Sequence, residues 1–183
     1  MLRLPFTLLL SGACCLAFGA TAPSVSKIFD DELTMVEHEL VPLAEAMPAD
    51  KYDFAPTDGE FKGVRTFGKQ TAHVAAVMYL VSASVLGEKV PAEAGDGENG
   101  PATLKTKDDY VKYLKAAVAY GHKAMKSLTD ANLTSLVKSA FGNEEVPRVS
   151  MATVTVWHTF DHYGQMVVYA RMNGIIPPAS RPQ

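Results

Sequence analysis

The chain has 183 residues, of which 48% are hydrophobic and 20% are charged, and its 17 Lys and Arg against 20 Asp and Glu leave a net charge of −3. This composition is typical of an ordered globular protein with one hydrophobic core. It excludes intrinsic disorder, and it excludes a strongly basic face of the kind that binds nucleic acids.

The N-terminal residues 1–22 have the pattern of a secretory signal peptide. Arg3 precedes the apolar run 4–18, and the small residues of 20–22 suit a cleavage site. The run is shorter than the roughly 20 residues that a helix needs to cross a bilayer, so we expect no membrane span. We predict export to the periplasm or the medium, followed by a single domain over 23–183.

The two cysteines of the chain, Cys14 and Cys15, both lie in this predicted signal. Lipidation at one of them, which would anchor the protein to a membrane surface, is the less favoured alternative to cleavage. The predicted domain therefore has no disulfide, no thiolate metal ligand and no covalently attached haem.

Two long helices are predicted in the first half of the domain. Apolar residues recur every three or four positions in Ile28–Met47, which predicts an amphipathic helix with a kink at Pro42. The segment Ala49–Asp58 is predicted to be a connection that packs its aromatic residues. A second helix with two apolar stripes is predicted over Gly59–Leu86.

The stretch Pro91–Pro101 contains three glycines and is predicted to be a mobile crossover connection. Thr106 and Asp109 have the spacing of a capping box, which predicts the start of a third helix that continues to Leu128.

The last part of the chain is predicted to form a short helix over Asp130–Phe141, an interruption over Gly142–Pro147 and a long helix over Val149–Met172. Asn173 and Gly174 are typical helix-stop residues. Since no segment has a convincing strand pattern, the fold class is predicted to be all-α, a four-helix bundle.

The chemistry of the chain is predicted to lie in its histidines. His158 and His162 are one helical turn apart, so their imidazoles project from one face and could share a metal ion. Histidine pairs with this spacing are often exposed to solvent and bind no metal. Here the flanking residues are apolar, which favours burial of the pair, and buried imidazoles need polar partners such as a metal ion. His73 on the second helix is the candidate third ligand, and three ligands would leave a coordination position for water or substrate.

The other two histidines are weaker candidates. His38 lies between Glu37 and Glu39, off the apolar stripe, and is predicted to be solvated. His122 lies at the edge of the third helix's apolar face. Its alternative role is that of a fourth metal ligand, or of a residue that contacts one of the ligands.

Several known sites are excluded by the spacing of residues. Thr159 replaces the glutamate of a zincin HExxH motif, and no Glu-x-x-His occurs for a carboxylate-bridged di-iron site. Residues 95–100 match GxGxxG literally, but no strand precedes them, Pro101 follows, and two acidic residues would repel a pyrophosphate.

Two segments resemble the DinB / YfiT-like superfamily: 66–75, with the sequence TFGKQTAHVA, and 158–178, with the sequence HTFDHYGQMVVYARMNGIIPP. The segments 52–56 and 86–89 are also similar to members of that superfamily. The resemblance extends over about Ile28–Ser180, essentially the whole predicted domain.

This resemblance implies an up-down-down-up four-helix bundle with a divalent metal ion, usually nickel or zinc, bound by three histidines. The matching positions are His73, His158 and His162. Characterised relatives include bacillithiol-dependent S-transferases and mycothiol-dependent isomerases. Because low-molecular-weight thiols are scarce or oxidised outside the cytoplasm, predicted export makes thiol transfer less suitable here than hydrolysis.

We therefore expect a metal-dependent enzyme, of hydrolase or thiol-transferase type, that acts on an unidentified small molecule. Four further residues are candidates for the pocket or for contacts to the ligands: Gln70, Asp161, Gln165 and Tyr169. The alternative is a non-catalytic metal-binding or interaction module in the periplasm, which could form a homodimer through a helix face. An open cleft beside the ion would favour the enzyme, and a sealed site or a fourth protein ligand would favour the module.

Overall fold

The computed structural model describes residues 22–182 and confirms the predicted all-α four-helix bundle. Apart from Ala22, the predicted signal peptide, including both cysteines, lies outside the described residues. The main elements are α1 (Val25–Ala46), α2 (Phe67–Leu86), α3 (Lys107–Lys126), β1 (Leu136–Lys138), β2 (Glu145–Pro147) and α4 (Arg148–Met172). None of the described helices is both long and apolar enough to cross a membrane.

Contacts between α1 and α3 show that these helices are antiparallel. Asp30, near the start of α1, lies 2.6 Å from a ring nitrogen of His122, near the end of α3. Glu45, at the end of α1, instead forms an ion pair with Lys115, nearer the start of α3.

Contacts made by α2 complete the topology. Gly68 lies against the ring of Tyr110 at the start of α3, and Tyr79 packs against Tyr120 near its end, so α2 and α3 are parallel. Arg148, the first residue of α4, donates to a main-chain carbonyl at the end of α2, so α2 and α4 are antiparallel. The helices therefore run up, down, down, up, as the family resemblance implies.

α2 is the central helix of the bundle, and 16 of its 20 residues are buried. It packs against α3 and α4 and also against the connection that contains a 3-10 turn at Gly97–Asn99. Consequently a polar side chain on α2, such as His73, has little access to bulk water and needs partners within the protein.

The predicted start of α2 at Gly59 is wrong, because the helix begins at Phe67. Gly59 and Gly63 have φ angles of +110° and +82°, in the left-handed region that favours glycine, so this stretch forms turns instead. The side chain of Thr66 then accepts a hydrogen bond from the main-chain N–H of Lys69 and caps the helix.

The predicted short helix Asp130–Phe141 is also wrong. Thr129 and Asn132 each accept a hydrogen bond from the other's main-chain N–H through their side chains, which closes a turn in place of a helix. The chain then forms β1, which pairs antiparallel with β2 so that Val137 lies opposite Val146. Val137 is buried, so this small hairpin covers one end of the core.

The other helix ends follow local signals. The predicted capping box is confirmed, since Thr106 accepts from the N–H of Asp109 and the Asp109 carboxylate accepts from the N–H of Thr106. α1 begins earlier than predicted, because Ser24 caps it. α4 ends at Met172, before a glycine with a φ angle of +75°, as predicted.

Candidate metal centre

The antiparallel packing of α2 and α4 brings together His73, His158 and His162. Each residue offers one ligand atom, and these three atoms lie within 4.8 Å of one another. The ring centroid of His73 is 5.1 Å from that of His158 and 4.7 Å from that of His162. The sequence predicts the His158–His162 pair from its spacing, whereas the approach of His73 results from helix packing.

The spacing of the ring nitrogens fits a single metal ion. The Nε2 atoms of His158 and His162 are 3.1 Å apart. Two metal–nitrogen bonds of about 2.0–2.1 Å at a tetrahedral angle would hold their nitrogens about 3.3 Å apart. The two imidazoles therefore need little movement to bind the same ion.

The orientation of the His73 ring is set by a main-chain carbonyl. Its Nδ1 lies 2.7 Å from the carbonyl oxygen of Glu98, and since a carbonyl only accepts, Nδ1 carries the proton. The neutral ring then has its lone pair on Nε2, which is the form required of a metal ligand. The sequence did not indicate Glu98, because any residue type can supply a main-chain carbonyl.

A chain of side-chain amides leads to His162. Gln70 Nε2 lies 2.7 Å from His162 Nδ1 and 2.8 Å from Gln165 Oε1, and Gln165 donates to the Asp161 carboxylate over 3.2 Å. Tyr169 lines the same cavity as Gln70 and Gln165. The four side chains predicted as pocket candidates thus lie on one side of the histidines.

Burial keeps the three imidazoles in their neutral form. Burial, together with the neighbouring rings of His162 and His73, lowers the pKa of His158 to about 4. Burial also lowers the pKa of His73 and of His162. Neutral imidazoles are the ligand form, so the site favours a cation over protons at neutral pH.

These shifts predict how the stability of the metal-free protein depends on pH. Between about pH 6.5 and about pH 4, the unfolded chain binds protons at His158 that the folded chain does not, so the free energy of unfolding should fall as the pH falls. The measurement is urea unfolding of chelator-treated protein at several pH values.

A variant comparison isolates this contribution from that of other titrating groups. His158→Gln/His162→Gln should flatten the pH dependence over the same interval, whereas His38→Gln should leave it unchanged, since His38 is exposed. An equally steep profile in the double variant would contradict the prediction.

His122 has a different partner set. Its Nδ1 is 2.6 Å from Asp30 and its Nε2 is 3.2 Å from Glu37, so it connects α3 to α1. The alternative role as a fourth ligand is thus not realised, and within residues 22–182 no further His, Cys, Asp or Glu joins the three histidines. His38 is exposed, in agreement with the prediction.

An open cavity adjoins Gln70, the residue that contacts His162. The cavity has a volume of about 510 Å³, and its lining includes Gln70, Gln165 and Arg65. His158 and His162 are themselves only partly buried. The described residues therefore do not fully enclose the cluster.

Comparison with known proteins agrees with the resemblance seen in the sequence. A model of the DinB superfamily matches residues 32–166 of the chain. A DinB-like protein from Bacillus cereus has a similar solved structure, with a TM-score of 0.67, 16% sequence identity and coverage of 83% of this chain and 95% of that chain. A DinB-like protein from Bacillus subtilis is similar with a TM-score of 0.64 and 16% identity, over 85% of this chain and 99% of that chain. These structures support the fold alone, and no curated protein matches the chain.

Proposed function

The chain belongs to the DinB superfamily, and we propose that it is a metal-dependent enzyme whose metal ligands are His73, His158 and His162. The observation that carries this proposal is the convergence of three imidazole nitrogens within 4.8 Å, from two helices, next to Gln70, which lines an open cavity. Imidazole ligands suit nickel and zinc, and we propose one of these two ions.

The residues around the ligands support this role. The Glu98 carbonyl holds the His73 ring in the tautomer that leaves Nε2 free. Gln70 directs its Nε2 donor at His162 Nδ1, so binding of an ion through His162 Nε2, with the proton on Nδ1, requires the carboxamide to turn so that Oε1 accepts instead. The ion, when bound, would supply Lewis acidity toward a substrate oxygen or sulfur.

Two features favour an enzyme over a non-catalytic metal-binding module. Three protein ligands leave a coordination position for water or substrate, whereas structural sites are usually closed by a fourth ligand. A small molecule held in the cavity beside Gln70 would lie near His162, which Gln70 contacts. We further propose that residues 1–22 direct export, a setting in which hydrolysis is more suitable than transfer of a free thiol.

Metal analysis of the purified full chain tests the proposal. We expect about one nickel or zinc ion per chain in the wild type and below about a tenth of that in His158→Ala/His162→Ala. His38→Ala is the matched control, since it removes an exposed imidazole, and it should retain the ion. Equal metal content in all three proteins, or none after reconstitution with zinc and nickel, would overturn the metal site.

Cobalt substitution then separates an enzyme from a closed binding module. With an exchangeable coordination position, the visible absorption bands of the cobalt-loaded protein should shift when azide or 2-mercaptoethanol is added. An unchanged spectrum would favour the non-catalytic module, whereas a shift would justify screening ester hydrolysis and thiol transfer with the native ion.

A further inference from the structure

A second cavity close to the histidines is lined by basic side chains. It has a volume of about 430 Å³, and we call it the cationic cleft after Arg65, Lys69 and Lys105, which all line it. Its lining includes no Asp or Glu. This local concentration of positive charge contrasts with the net charge of −3 of the whole chain.

The positive charges of the cationic cleft are poorly compensated within the protein. Arg65 donates to the side-chain oxygen of Asn99 over 3.3 Å, and its nearest carboxylate oxygen, on Glu98, is 3.8 Å away. Within residues 22–182, neither Lys69 nor Lys105 forms a side-chain hydrogen bond or an ion pair. An anion bound among these side chains would interact favourably with their charges.

The cationic cleft shares two basic residues with the cavity beside Gln70. Arg65 and Lys69 also line the cavity that contains Gln70, and Gln70 contacts His162. On the other side, the cleft is lined by Ala72, the residue before His73. Arg65 and His73 each lie 3.8 Å from the same oxygen of the Glu98 carboxylate, so a ligand held by Arg65 would lie near the histidine cluster.

We propose that the cationic cleft binds the oxyanion head group, a carboxylate or a phosphate, of a small organic substrate. A guanidinium group matches both oxyanions because its N–H groups form a planar fork. The volume lies within the range of roughly 300–1,000 Å³ found for small-molecule sites, and Leu104 and Tyr110 give the cleft an apolar wall for the organic part. The placement of the reacting end at the ion rests on the proposed function, but binding of the head group does not.

Titration with a matched set of aromatic probes tests this inference. Benzoate and phenyl phosphate carry the two head groups, and benzamide is the uncharged analogue. By NMR titration of the chelator-treated full chain, we expect at least one anion to bind about tenfold or more tightly than benzamide, and more weakly as salt is added. The stronger of the two anions identifies the head group.

Variants locate the binding and separate it from the metal site. Arg65→Gln/Lys69→Gln should weaken anion binding by about tenfold or more, while zinc content stays at the wild-type level. Lys126→Gln removes one charge at the far end of α3 and should bind the anion as the wild type does. Wild-type affinity in the double variant, or equal affinity for benzamide, would overturn the inference. Because the titration uses metal-free protein, its result does not depend on whether the proposed metal site exists.

Discussion

Chelation of the metal ion is expected to lower the free energy of unfolding by about 4 kcal/mol, relative to protein with free ion at about 1,000 times the dissociation constant. The reason is that the ligands converge only in the folded bundle. His73 lies on α2, while His158 and His162 lie on α4, so the ion links two helices that are far apart in the sequence. Binding to the folded state alone adds its free energy to stability.

Urea unfolding with zinc or nickel and with chelator measures this effect. His158→Ala/His162→Ala should unfold at the same urea concentration in both conditions, and His38→Ala should respond as the wild type does. A metal-dependent shift of equal size in the double variant would mean that the ion binds elsewhere.

Leu33→Ala is expected to lower the free energy of unfolding by about 3 kcal/mol. Leu33 is fully buried on α1, and its side chain packs onto Gly121 of α3, where an added Cβ atom would be 3.0 Å from Leu33 Cδ2. The substitution removes buried apolar surface and leaves a cavity between two helices. Leu136→Ala is the matched control: Leu136 is 60% exposed, so its truncation should change stability by less than about 0.5 kcal/mol.

The glycine at this contact makes the packing argument testable in a second way. Gly121→Ala places a methyl group against Leu33, so its effect on stability should be less favourable in the wild type than in the Leu33→Ala background, where the methyl group enters the cavity. Chemical denaturation of the four proteins gives the coupling free energy. Strictly additive effects would mean that the two residues do not share this contact.

Local sequence signals were sufficient for most of the helices. The capping box at Thr106 and the stop before Gly174 both act through hydrogen bonds or backbone angles within a few residues. The predicted start of α2 missed the local signals of Gly59, Gly63 and Thr66, whereas the predicted helix over Asp130–Phe141 was wrong because the structure there depends on pairing with a second segment. β1 forms because β2 is available to pair with it, and Val137 becomes buried only against the rest of the bundle.

The residues of the candidate site also fall into two groups: those that the sequence predicts and those that only the packed bundle brings together. The sequence by itself determined the His158–His162 pair, because spacing along one helix fixes their common face. His73 was a candidate from its position on the second helix, and the family resemblance strengthened it, but no spacing rule connects it to α4. The tertiary structure decided what surrounds these ligands: the Glu98 carbonyl that orients His73 and the basic side chains next to Gln70. Such contacts join residues far apart in the chain, and only the packing of the bundle brings them together.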